Sequence, residues 1–272
     1  MTTVLLHGLG ADRRQPLELF TPVVNAVDGA GELIVAPDVR AHGGYLTVGE
    51  PADFELHRLA AEVADAVRAA VAEATGRGAE ASGPLTIVGI SMGAALALRI
   101  ALDELLPVAR TVFVRPSFSE EPLPDNLRPF PVIGQILADA GPGGAHEFRE
   151  RSVFRQVAAI SPAGARGLLA QFTAPDAARR AMRLVEIPRN RAFATEAELF
   201  GLGGRGIRSL VIGAPRDPVH PLALAERWAA ALGAPLEVLP ARDDGQQAQI
   251  AVLRDRLARW LESSRDSADA DR

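Results

Sequence analysis

The chain has 272 residues and a net charge of −5 at pH 7, with 48% hydrophobic and 23% charged residues. That length suits one large domain, or a core domain carrying an insert. No basic block invites nucleic acid, and charges interrupt every apolar run well short of the ~18 residues a membrane span needs. There is no cysteine, so neither a disulfide framework nor thiol chemistry is expected. The start, Met1-Thr-Thr-Val-Leu-Leu, lacks the basic segment of a secretory signal. Together these suit a cytoplasmic protein and give no sign of nucleic acid or a membrane. All 29 basic residues are arginine, which we read as coding bias.

In chain order, Thr3 to Leu6 is a short β run that ends in His7-Gly8-Leu9-Gly10. Leu17 to Val27 follows as a helix, then a strand at Glu32 to Ala36. With no residues before the first strand to form a hairpin, that second strand becomes a sheet edge, which leaves pairing into a homo-oligomer open. Asp53 to Thr75 is the clearest helix: Leu56, Leu59, Ala60, Val63, Val67, Ala70 and Val71 form one apolar stripe. A glycine- and alanine-rich loop over 76–83 leads to a strand at Leu85 to Val88. Gly89-Ile90-Ser91-Met92-Gly93 comes next, then a run of helix formers, so a serine stands where a strand turns sharply into a helix.

Thr111 to Val114 is the next strand. Prolines at 116, 122, 124, 129 and 131 then exclude regular strands, and the text to Phe200 is helical with breaks. Six phenylalanines fall there, at 118, 130, 148, 154, 172 and 193, mostly as expected core. Strands return at Ser209 to Ile212 and Leu236 to Leu239, around a helix from Pro221 to Leu232. An amphipathic helix over Gln247 to Leu261 closes the fold, followed by a polar stretch read as a disordered tail. Alternating strands and helices with tight glycine turns describe a parallel, doubly wound sheet.

The chain resembles the α/β-hydrolase family. The resemblance rests on the Gly89-Ile90-Ser91-Met92-Gly93 elbow, on His7-Gly8-Leu9-Gly10, on Asp38-Val39-Arg40-Ala41-His42-Gly43, and on Asp217-Pro218-Val219-His220-Pro221, each after a predicted strand and in family order. It implies an α/β-hydrolase fold: a mostly parallel six-stranded sheet lacking the N-terminal hairpin, with an inserted helical lid. The core domain would span 1–115 and 203–262, the cap 116–202 and the tail 263–272. It also implies Ser91 as nucleophile, Asp217 as acid, and the N–H groups of Leu9 and Met92 as the oxyanion hole.

A serine hydroxyl needs a base, and the family places a histidine after the last strand. Here that segment reads Leu239-Pro240-Ala241-Arg242-Asp243-Asp244-Gly245-Gln246, with no histidine beyond His220. Gln246 falls at the family's histidine position, or Asp244 if the register slips, and neither is a good base at neutral pH. His220, three residues after Asp217, is the candidate substitute; the ordinary reading is that it merely precedes Pro221 at a helix start. His7 and His42 are expected to hold loop backbone and His57 to be solvated, while His146, in the lid, is the other candidate base if it swings over Ser91. Asp38 and Arg40 are expected to pair and brace their turn. Arg115 reads as a lid anchor, with contact to an anionic substrate as the other option. No metal-ligand spacing, phosphate loop or dinucleotide fingerprint is present, so no metal and no cofactor is expected.

Three readings follow from these residues. The first is a cofactor-free serine hydrolase acting on an ester-like bond of a small molecule. The second is a non-catalytic protein of the same fold that binds a small ligand, because Gln246 stands at the histidine position. The third is a lyase using the oxyanion hole without an acyl-enzyme, for which no residue speaks directly.

Overall fold

The chain starts with β-favouring residues and returns to them after each helix, and the strands so formed all run the same way. The computed structural model describes residues 2–29, 31–77 and 83–270. Among these, six strands form one parallel sheet: β1 (Thr2–Leu6), β2 (Leu33–Val35), β3 (Leu85–Ile90), β4 (Val108–Val114), β5 (Arg208–Gly213) and β6 (Leu236–Val238), in the order β2-β1-β3-β4-β5-β6. The order reverses between β1 and β3, which are hydrogen-bonded neighbours. In open parallel sheets the carboxyl ends of strands flanking such a reversal form a crevice where ligands bind. Two of the predicted loops, after Leu6 and after Ile90, therefore meet there.

Successive strand residues point to opposite faces, and both faces are covered. Leu5, Val88, Ile90, Val112, Val114, Leu210 and Ile212 pack on one face with Phe20 of α1 (Arg14–Asp28) and with Leu253, Leu257 and Leu261 of α11 (Gln246–Ala270). Val4, Leu6, Leu85, Ile87, Phe113 and Val211 pack on the other. That second core takes in α2 (Leu56–Gly76), α3 (Met92–Leu102) and α10 (Leu222–Leu232), with Trp228 fully buried edge-on to Phe113. Between β4 and β5 stand six α-helices: α4 (Pro129–Ala140), α5 (Ala145–Glu150), α6 (Ser152–Ile160), α7 (Pro162–Thr173), α8 (Met182–Glu186) and α9 (Glu196–Gly204). Phe118, Phe148, Phe172 and Phe193 are buried among them, in a core continuous with that of the second sheet face.

Several details differ from the sequence reading. The closing helix runs on to Ala270, through the stretch read as a tail. Its continuation has partners: Ser264 is buried and its carbonyl accepts from Arg208 Nη1 at 3.1 Å. Asp38 and Arg40 do not pair with each other. Asp38 accepts from the N–H groups of Arg13 and Gly44, both at 2.8 Å, while Arg40 reaches Glu62 on α2. The loop expected over 76–83 lies mostly outside the described residues.

Candidate active site

Ser91 is the single residue between β3 and α3, with φ 57° and ψ −114°. That conformation is costly for any residue with a side chain, and its surroundings hold it there. The Ser91 N–H donates to the Val114 carbonyl at 2.9 Å, and the Ser91 carbonyl accepts from Ala94 N–H at 3.0 Å. The two glycines have a steric reason. A Cβ on Gly89 would overlap the Gly93 carbonyl, and a Cβ on Gly93 would overlap the carbonyl of Leu6. The elbow stands the hydroxyl at the N-terminus of α3, where unpaired N–H groups and the helix dipole favour negative charge.

A second loop reaches this hydroxyl from β5. His220 Nε2 lies 2.9 Å from Ser91 Oγ, and His220 Nδ1 lies 3.1 Å from both carboxylate oxygens of Asp217. Asp217 also accepts from the backbone N–H groups of Val219 at 3.2 Å and His220 at 3.1 Å, so acid and histidine are held in one turn. An ionised Asp217 places the ring proton on Nδ1 and leaves the Nε2 lone pair to accept from Ser91. The Arg115 guanidinium pairs with Asp217, and its Nη2 lies 3.0 Å from His220 Nδ1. Burial pushes the Asp217 carboxyl up, but the charges of His220 and Arg115 outweigh that and hold it well below the usual carboxylate range. Burial lowers the pKa of His220, Asp217 opposes that shift, and Arg115 adds to it. The imidazole is therefore neutral, and able to accept a proton, at neutral pH.

The loop after β1 closes the site from the other side. Its amides are mostly committed: Gly8 N–H to Gln15 Oε1 at 2.8 Å, Gly10 N–H to His42 Nε2 at 3.0 Å, and Ala11 N–H to the Gly8 carbonyl at 3.1 Å. That leaves Leu9 N–H in this loop. Met92, the first residue of α3, has no carbonyl four residues back for its own N–H within the helix. His7 and His42 are buried and brace these loops, with His7 Nε2 accepting from Val39 N–H at 3.0 Å.

The structure thus brings Ser91, Asp217 and His220 together, with Leu9 beside them, and leaves Gln246 out. Gln246 opens α11 on the exposed surface, because the turn at Arg242–Asp244 and Gly245 (φ 146°) carries the chain away from the crevice. Asp244 pairs with Arg216. From this segment it is Arg242 that enters the site. His146 and His57 are exposed and away from Ser91. Three features escaped the sequence reading. Arg115 sits on the acid instead of anchoring the insert. Ser117 Oγ lies 3.3 Å from Ser91 Oγ. Asn126 Nδ2 donates to the carbonyls of Ser117 at 2.9 Å and Val219 at 2.7 Å, tying the β4 and β5 loops together. An arginine directly after a predicted strand was the one available signal.

The cavity over Ser91 has a volume of about 130 Å³ and is roofed by Phe130 of α4 and by Gly164, Gly167, Leu168 and Gln171 of α7. A larger cleft, about 540 Å³, opens beyond Gln15, but Arg13 and Arg14 there are paired with Asp38 and Asp12, and no serine or threonine lines it. Among the described residues no group of three or more His, Asp or Glu side chains could hold a metal ion, and no helix is long and apolar enough to cross a membrane.

A parallel sheet with a strained serine between a strand and a helix, at the point of strand reversal, defines a protein of the nucleophile-elbow class. Residues 3–249 match the model of the alpha/beta hydrolase family, and the chain belongs to that family. Solved structures with the same fold include MenH from S. aureus (TM-score 0.65, 13% identity, 97% of this chain and 94% of that one). A thermophilic esterase from Thermogutta terrifontis is also similar (TM-score 0.63, 18% identity, 97% and 90%). So is an enol-lactonase from Burkholderia xenovorans LB400 (TM-score 0.60, 17% identity, 97% and 90%). A search of the curated proteins finds no match.

Proposed function

We propose that this protein is a cofactor-free serine hydrolase that cleaves an ester-like acyl bond of a small molecule. The observation that carries this reading is the 2.9 Å contact between Ser91 Oγ and His220 Nε2, with Asp217 on the opposite ring nitrogen. His220 takes the Ser91 proton as Oγ attacks the acyl carbon, and the imidazolium that forms is stabilised by Asp217. The tetrahedral oxyanion is received by the N–H groups of Leu9 and Met92. Collapse expels the leaving group, which takes the proton from His220, and water then releases the acyl group by the same route in reverse. The helices over 116–202 act as the cap, and the small cavity limits the acyl or alcohol part that fits. The contact of His220 with Ser91 supports this reading over the non-catalytic one suggested by Gln246, which lies on the exposed surface.

The test is labelling of the purified protein by a fluorophosphonate. Ser91 should be labelled in the native chain, and Ser91→Ala should not react. His220→Ala should lower kcat on a small activated ester by about a thousandfold or more. A native protein that neither reacts with the probe nor turns over any such ester refutes the proposal and favours the ligand-binding reading.

A further inference from the structure

Arg242 stands out within the crevice. It lines the cavity over Ser91 together with Arg115, Asp217 and His220. Its Nη1 lies 3.6 Å from the place a Cβ would occupy on Gly167 of α7, so the guanidinium lies against the roof of the cavity. Every carboxylate near it is engaged elsewhere. Asp217 pairs with Arg115 and His220. Asp243 accepts from the Ser161 hydroxyl and from Ala163 N–H, at the start of α7. Asp244 pairs with Arg216. Among the described residues no carboxylate oxygen comes within salt-bridge distance of Arg242. Burial first of all, with the neighbouring Arg115 and Arg166 charges, lowers its pKa against the opposing pull of Asp217 and Asp243, so its charge is held at some cost although neither carboxylate pairs with it. A partly desolvated guanidinium with free donors, in the cavity of the nucleophile, is the geometry that takes a carboxylate.

Resting on the hydrolase reading above, we propose that the substrate is a small ester bearing a carboxylate, and that Arg242 binds that carboxylate. Because Arg242 and Ser91 share a cavity of about 130 Å³, the carboxylate and the scissile carbonyl are separated by only a few atoms. Arg115 and Arg242 both line this cavity and draw the anion in, and Asp217 repels it less because its charge is already paired.

Two matched pairs of esters test this. Mono-para-nitrophenyl glutarate against para-nitrophenyl pentanoate puts the anion on the acyl side. Para-carboxyphenyl acetate against phenyl acetate puts it on the leaving group. In one pair the native enzyme should favour the anionic member by about tenfold or more in kcat/KM, through KM. Arg242→Gln should bring that ratio to about one, and Arg242→Lys should restore part of it. Free glutarate should also raise the Tm of native protein and of Ser91→Ala, but not of Arg242→Gln. Turnover of both pairs with no anionic preference and no Arg242-dependent glutarate effect overturns the proposal. No turnover of any ester, with the glutarate effect intact, refutes the hydrolase reading and leaves the anion site standing.

Discussion

Arg115 follows the last residue of β4 with φ 50°, and its N–H donates to the Ile212 carbonyl, so its backbone is clamped between β4 and β5. From there it sets a fixed positive charge on Asp217 and next to His220. That charge stabilises the ionised acid but disfavours the imidazolium that the proposed acyl transfer would form. Arg115→Gln should therefore raise the pKa of His220 and move the acid limb of the kcat/KM profile to higher pH. A limb that stays in place or moves down would show that Arg115 has no electrostatic hold on the base. In the native chain, the lowered pKa of His220 puts that limb below pH 6.5, with activity rising through it and level at neutral pH.

The element most closely tied to the site is α7. It begins after Ser161, whose Oγ accepts from Gly164 N–H at 2.9 Å, with Pro162 at its first position. Asp243 reaches across from the last loop and accepts from Ala163 N–H at 2.8 Å. A carboxylate at a helix start satisfies donors that the helix itself cannot and interacts well with its dipole. Here the same carboxylate also fixes the loop carrying Arg242 against the roof. Asp243→Ala should therefore loosen the start of α7 and lower the Tm in thermal unfolding. It should also raise KM, because Gly167, Leu168 and Arg242 lose their common anchor. An unchanged Tm and KM would mean that α7 is held by its apolar face alone. The Ser161-Pro162 helix start was readable in the chain; that its partner lies about eighty residues away in sequence was not.

At the scale of the whole molecule, three histidines, His7 and His42 buried and His220 partly so, link stability to pH. His7, His42 and His220 are each lowered from an ordinary value of 6.5, by burial first of all. Between 6.5 and their folded values the unfolded chain binds more protons, so stability is complete above that window and falls as pH drops through it. Each unit of lowering is worth about 1.4 kcal/mol. Asp217, held below 3.8, stays ionised in both states over this range and adds no slope. Tm should therefore fall between pH 7.5 and pH 5 in thermal scans, and a flat Tm would contradict neutral burial of these rings. His7→Gln or His42→Gln should flatten the dependence at the expense of the loop each one braces.

What the sequence by itself determined was everything governed by local sterics and periodicity. The glycines at 89 and 93 announced the elbow because only glycine fits beside the backbone of Gly93 and Leu6. The apolar stripe of α2 announced a buried helix, and the short β runs between helices announced a parallel sheet with β2 at its edge. The base was the part that local reading could not resolve. His220 and Gln246 each had a place beside the active loops on paper, and helix-start chemistry explained His220 equally well. Only tertiary structure shows that it is His220 that lies against Ser91, because the distance from Ser91 to a residue 129 positions away depends on how β3 and β5 sit about β4 and on how the turn after Asp217 is clamped. The same holds for Arg115 and Arg242: a charge acquires its role from which carboxylates are already taken, and that is a property of the packed molecule.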